Sequence, residues 1–146
     1  MTADEIIRRL DLAPHPEGGW YRQTWVAEAA PGARPAGTAI YFLLKTGERS
    51  HWHKVDATEI WLWHGGAPLD LWIAATKAGP ARHHRLCADL DAGSPQAIVP
   101  PDHWQAATST ATTADGWSLV SCTVSPGFRF EGFTLAPAGF DIPRAP

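Results

Sequence analysis

Two histidines one residue apart, and a glutamate six residues beyond the second, are the side chains best spaced to do chemistry. They are His51, His53 and Glu59, within GERSHWHKVDATEIWLWHGG (Gly47 to Gly66). Side chains of an extended strand alternate between faces, so His51 and His53 are expected on one face and Trp52 on the other. In a following strand Glu59, Trp61 and Trp63 share a face, with Ile60, Leu62 and His64 opposite. Two imidazoles at i and i+2 and a carboxylate on the neighbouring strand can converge on one point. Such a facial set holds a divalent first-row metal and leaves positions open for a substrate.

The rest of the chain must position that stretch. Its 146 residues, 45% hydrophobic and 18% charged, imply one globular domain, residues 1–146, with a real core. The formal net charge of −3 and the absence of any Lys/Arg run argue against a nucleic-acid surface. No apolar stretch approaches a membrane span, and the charged start MTADEIIRRL lacks the apolar core of a signal peptide, so a cytoplasmic protein is expected. Cys87 and Cys122 are then free buried thiols. Most of the eight Trp residues are expected in the core or at a subunit interface.

Thr2 and Glu5 fit a capping box, and Ile6, Ile7 and Leu10 give a short helix, ending near Leu12, one apolar stripe to dock on a barrel exterior. PHPEGGWYRQTW (Pro14 to Trp25) reads as a turn leading into a strand, with Arg22 on the face of Trp20 and Thr24. Ala27 to Ala36 is an exposed loop, and Gly37 to Leu44 an apolar strand buried on both faces or at an interface. LDLWIAAT alternates as a strand, and ARHHRLCADL forms the next, with His83 and His84 on opposite faces of a solvated edge. Asp115-Gly116 is a hairpin-type turn signal ahead of the strand WSLVSCTV. The tail from Ala136, rich in Pro and Ala, is expected to be poorly ordered or packed on a neighbour. Nine to eleven short strands after one helix give an all-β jelly roll or small barrel, with a ligand site in its mouth.

The HxH pair, Glu59 and the closing Gly66 resemble the first motif of the cupin superfamily, whose two His and Glu bind a metal inside a small β-barrel. Five residues separate His53 from Glu59 where that motif has four. PHPEGG, GTAIYFLL, the HWHKVDATEIW stretch and VSPGFRFEGFTL (Val124 to Leu135) together resemble one cupin family in particular, small single-domain proteins of unassigned function. The resemblance implies a cupin jelly roll with a short N-terminal helix. The superfamily's second motif, Pro-x-Gly-x-x-His-x-x-x-Asn, laid on Pro100 puts Asp102 at the Gly, Gln105 at the fourth ligand and Ser109 at the Asn. Either Gln105 supplies a weak amide ligand, or His103, two positions earlier on the same face, replaces it, or Gln105 hydrogen-bonds a ligand or buried water.

Two functions follow. In the first, His51, His53, Glu59 and Gln105 hold Fe, Mn, Ni or Zn in an enzyme of oxygenase, isomerase/epimerase or lyase type. In the second, the barrel is a metal-free binding module or epimerase-like protein for a sugar, nucleotide or other small ring-containing ligand. In both, Trp61 and Trp63 wall the pocket, and Tyr41 and Arg22 can add a donor and an anion anchor. Apolar strands and surplus Trp point to a homodimer, as the resemblance also implies.

Overall fold

The computed structural model describes residues 1–146. Helix α1 (Ala3–Leu10) starts where its capping box places it: the Glu5 N–H donates to the Thr2 hydroxyl at 3.2 Å, and the Thr2 N–H to the Glu5 carboxylate at 2.7 Å. Its apolar stripe packs with Leu12 on Leu43, Tyr41, Trp117 and Leu119. Eleven strands follow: β1 (Ala13–Pro14), β2 (Trp20–Val26), β3 (Thr38–Lys45), β4 (Arg49–Val55), β5 (Thr58–Gly66), β6 (Leu69–Ala74), β7 (Arg82–Leu86), β8 (Gln96–Val99), β9 (Trp104–Ser109), β10 (Trp117–Ser125) and β11 (Phe133–Leu135).

They form two antiparallel sheets, one in the order β1-β2-β3-β10-β5-β8 and the other β11-β4-β9-β6-β7. This is the jelly roll expected from the strand count. Period-two alternation decides what lies between the sheets. Phe42 and Leu44 of β3, Trp61 of β5, Leu69, Leu71 and Ile73 of β6, and Val120 and Cys122 of β10 form the principal core. Leu43, one residue out of phase, faces the helix instead, so β3 is buried on both sides. No helix is long and apolar enough to cross a membrane.

Two expectations change. The Asp115-Gly116 turn does not close a hairpin; it carries the chain from β9 in one sheet to β10 in the other. The tail is not loose. Ala136 and Ile142 are buried with Trp52, Ala74, Trp104 and Ala106 on the outer face of the five-stranded sheet. The Trp52 indole N–H donates to Asp141 Oδ1 at 2.9 Å, the Ala145 N–H to the Ala81 carbonyl at 2.8 Å, and the Arg144 guanidinium lies over the Trp52 and Trp72 rings. The tail thus covers the apolar residues of this outer face.

Candidate functional site

The barrel mouth holds a cavity of about 120 Å³. The lining groups come from strand positions of the right parity, from the loop before β2, and from the segment between β10 and β11. Tyr21 and Gln23 come from β2, Thr38 and Ile40 from β3, His53 and Val55 from β4, Glu59 from β5, and Cys122 and Val124 from β10. His15 and Glu17 come from the PHPEGG loop, and Phe128, Phe130 and Phe133 from the segment that returns to β4.

The PHPEGG loop is the part whose catalytic potential spacing alone does not reveal. Glu17 reaches the cavity because the loop lies directly against β4: the His51 N–H donates to the Glu17 carbonyl at 2.8 Å. Gly18 permits this approach. Its φ is +107°, and a Cβ there would sit 2.2 Å from the Arg49 carbonyl oxygen. Gly18→Ala is therefore expected to destabilise the fold by about 2 kcal/mol and to displace Glu17, visible as a lowered denaturant midpoint.

His51 N–H is free for that bond because β4 is bulged. Ser50 pairs with Ala107 and His53 with Gln105, so three residues of β4 span two of β9. The extra residue resets the alternation. Ser50 and His53 are both fully or nearly fully buried, and Trp52 is buried under the tail. His51 does not line the cavity; its Nε2 lies 3.0 Å from the Pro137 carbonyl. The two imidazoles expected on one face are therefore parted.

Glu59 does face inward as expected, and it meets Gln105. The Gln105 amide N–H donates to Glu59 Oε1 at 2.8 Å, and the Trp61 indole N–H donates to Gln105 Oε1 at 2.8 Å. Because an indole only donates, these two bonds fix which end of the amide is oxygen. That oxygen is turned away from the cavity and already accepts a hydrogen bond. Trp61→Phe is expected to cost about 1–2 kcal/mol, read in denaturant melts, by orphaning the buried Gln105 oxygen.

The other expected residues stand elsewhere. Trp61 and Trp63 follow Glu59 down the inward face of β5, each pair of residues advancing roughly 6.5 Å along the strand. Trp61 is consumed in the core against Phe42, and the Trp63 indole donates to the Ala67 carbonyl. Tyr21, Phe128, Phe130 and Phe133 form the aromatic wall in their place. β9 begins only at Trp104, so His103 shares no strand face with Gln105; its Nδ1 lies 3.2 Å from the Pro101 carbonyl. Asp102, laid on the motif's glycine, does adopt a glycine-like φ of 61°. Arg22 and Tyr41 lie outside the cavity, the Arg22 Nε donating to the Leu10 carbonyl and its guanidinium 5.7 Å from the Tyr41 ring centroid.

The four residues expected to hold Fe, Mn, Ni or Zn thus do not fit a metal. His51 points to the tail, and the Gln105 oxygen is taken by Trp61. No group of three or more His, Cys, Asp or Glu side chains is arranged to hold an ion.

The donor set is suited to protons. His53 Nδ1 lies 2.8 Å from the His51 carbonyl, which can only accept, so Nδ1 carries the hydrogen and Nε2 presents a lone pair. That lone pair faces Glu17 Oε2 at 3.1 Å. Burial lifts the Glu17 carboxyl to about 8, opposed by the nearby Ser50 hydroxyl, the one buried side-chain polar group without a well-formed hydrogen bond. Burial also lowers the His53 imidazole, against the pull of Glu59. A protonated Glu17 donating to a neutral His53 satisfies both the geometry and the desolvation. Burial raises Glu59 to about 7, tempered by His53 and compounded by Glu17. His15 falls to about 4 through burial and then His53; its Nδ1 accepts from the Glu17 N–H at 3.1 Å. The Cys122 thiol is held well above its ordinary range by burial and the neighbouring carboxyls.

The comparisons with known proteins agree with this architecture. A crystal structure of a Shewanella oneidensis protein is 40% identical, with a TM-score of 0.85 over 93% of this chain and 85% of that one. A hypothetical protein from Leishmania major is 32% identical, with a TM-score of 0.83 over 96% of this chain and 90% of that one. Oxalate decarboxylase from Bacillus subtilis shares the fold alone, at 13% identity and a TM-score of 0.60 over 84% of this chain and 29% of that one. No curated protein matches the sequence. Residues 4–136 match the family described as Cupin superfamily (DUF985), and the chain belongs to that family.

Proposed function

We propose that the protein is a metal-independent acid–base enzyme of isomerase or epimerase type, acting on a small molecule in the barrel mouth. The observation that carries this reading is the Glu17–His53 contact of 3.1 Å, with the His53 tautomer held by the His51 carbonyl. A substrate carbonyl oxygen takes the Glu17 proton while His53 Nε2 takes a proton from the adjacent carbon, giving an enol. The step turns a neutral pair into a carboxylate and an imidazolium in contact, so the buried site stays neutral overall. When the imidazolium proton exchanges with solvent before it returns to the same face, that carbon takes up isotope with its configuration retained. Inversion needs a proton delivered to the opposite face, and Glu59 is the other carboxyl of the cavity. If the product leaves as the enol tautomer, Nε2–H to Glu17 transfer resets the pair.

The test is incorporation of solvent deuterium into a panel of small carbonyl compounds, monitored by NMR with and without a chelator. Exchange that survives chelation is expected. Exchange that needs an added divalent metal would replace this reading with the metal-dependent one. The aromatic wall also supports a second reading, a binding module without turnover, which saturable ligand binding with no exchange in any compound would favour. A homodimer belongs to the proposal as well: exposed Trp25 and Val26 on β2 supply apolar surface for it, and sedimentation velocity checks it.

A further inference from the structure

The cavity is unusual in which charges it lacks. Among its fourteen lining residues are two glutamates and two histidines, but no lysine and no arginine. Glu17 and Glu59 are 8% and 7% exposed, so both carboxyls belong to the cavity rather than to the surface. The guanidinium groups beside the phenylalanine segment, Arg129 in sequence and Arg34 in space, are committed elsewhere. Arg129, between Phe128 and Phe130, turns to Asp56 at 3.4 Å, and Arg34 holds the same carboxylate at 2.7 Å while its Nε donates to the Gly127 carbonyl. A carboxylate or phosphate ligand would enter without a countercharge and face two acids.

Of the ten other lining residues, Tyr21, Phe128, Phe130 and Phe133 are aromatic, and Ile40, Val55 and Val124 add aliphatic surface. Phe128, Phe130 and Phe133 stand edge to face, with centroids 5.0, 5.8 and 6.1 Å apart, and His15 stands edge to face against Tyr21 at 4.4 Å. Aromatic faces carry negative quadrupole potential and attract organic cations, the more so where water is excluded. The carboxyl oxygens not engaged by His53 and Gln105 are acceptors for N–H donors, which favours an ammonium with hydrogens over a quaternary one. Size sets the rest: a cavity of about 150 Å³ accommodates benzene, and this one is about 120 Å³.

The geometry points to a primary or secondary organic ammonium, carrying an apolar group no larger than about one ring, as the ligand class of this cavity. This rests on the reading of the barrel mouth as the ligand site, and it names what that site takes. The ammonium pairs with the Glu59 carboxylate and donates to the free oxygen of the Glu17 carboxyl, and the apolar group lies against Phe128, Phe130 and Phe133.

Three probes of one shape and different charge test it: benzylamine, benzyl alcohol and benzoate, titrated calorimetrically into wild-type protein and Glu59→Gln at pH 7.5. Wild type is expected to bind benzylamine at least tenfold more tightly than either other probe. Glu59→Gln, which keeps an acceptor for the Gln105 amide, is expected to lose most of that preference while retaining its affinity for benzyl alcohol. Equal or tighter binding of benzoate or benzyl alcohol would overturn the inference, as would a benzylamine preference unchanged in Glu59→Gln. Failure of all three probes to bind would overturn it too. The deuterium-exchange experiment is independent of these outcomes, so the acid–base reading can stand when the ammonium class falls, and the reverse.

Discussion

Glu17→Gln is expected to lower the rate of deuterium exchange by about two to four orders of magnitude, the usual worth of a positioned acid–base group. The glutamine keeps the shape of the glutamate and can donate an N–H to His53 Nε2, so the site stays packed. It cannot, however, give up a proton to a substrate, and its N–H blocks the lone pair that must act as base. His53→Ala removes that base and is expected to lose a similar factor. Because the two groups work on one proton circuit, the double variant should be hardly slower than either single one. Exchange rates from NMR, with thermal melts to confirm folding, check this. A Glu17→Gln protein that exchanges at the wild-type rate would show that the pair is structural.

The same two carboxyls should govern how stability depends on pH. Glu17 and Glu59 have folded values of about 8 and about 7 against an ordinary 4.5, so the native state holds their protons more tightly than the unfolded chain does. Each such group favours folding fully below pH 4.5, and its contribution is lost as pH rises towards the folded value. His15 acts in the opposite sense. Its folded value of about 4 lies below the ordinary 6.5, so its contribution is present above 6.5 and lost as pH falls. His53 is lowered likewise. Between pH 4.5 and 6.5 the two carboxyl and two imidazole effects oppose one another. Above 6.5 the carboxyls act alone, and stability is expected to fall by on the order of 2 kcal/mol between pH 6.5 and 8, mainly through Glu17. Glu17→Gln should flatten that limb. Urea melts across the range measure it, and a rise in wild-type stability over this interval would contradict a native state in which Glu17 keeps its proton at neutral pH.

The fold is largely legible in the sequence, because local rules and tertiary packing agree along most of the chain. Thr2 and Glu5 mark the helix start, alternation in β5, β6 and β10 separates their two faces, and the unbroken apolar run of β3 marks a strand buried on both sides. The site is only half legible. Glu59 keeps its parity, so its inward direction follows from alternation. His51 does not, because a one-residue bulge between Ser50 and His53 resets the pattern and leaves no mark in residue type. Gln105 does stand opposite His53, but the direction of its amide depends on Trp61, a partner that only the folded barrel brings near. Glu17 escapes sequence reasoning for a different cause. It lies in a loop, where no periodicity constrains direction, and the signal that could reveal it is Gly18-Gly19 directly after a lone acid, which implies backbone pressed close against a neighbour.

The carboxyl-terminal segment that lies across the outer sheet has a practical bearing on how the protein is handled. Trp52 anchors that segment through Asp141, His51 meets it at Pro137, and His53 is the very next position on the other side of the same strand. Trimming it, or hanging an affinity handle from it, would pull on the backbone carbonyl that selects the tautomer of the pocket imidazole. Altered turnover in a clipped or tagged preparation should therefore be read as a message from the rear of the sheet before it is blamed on the substrate.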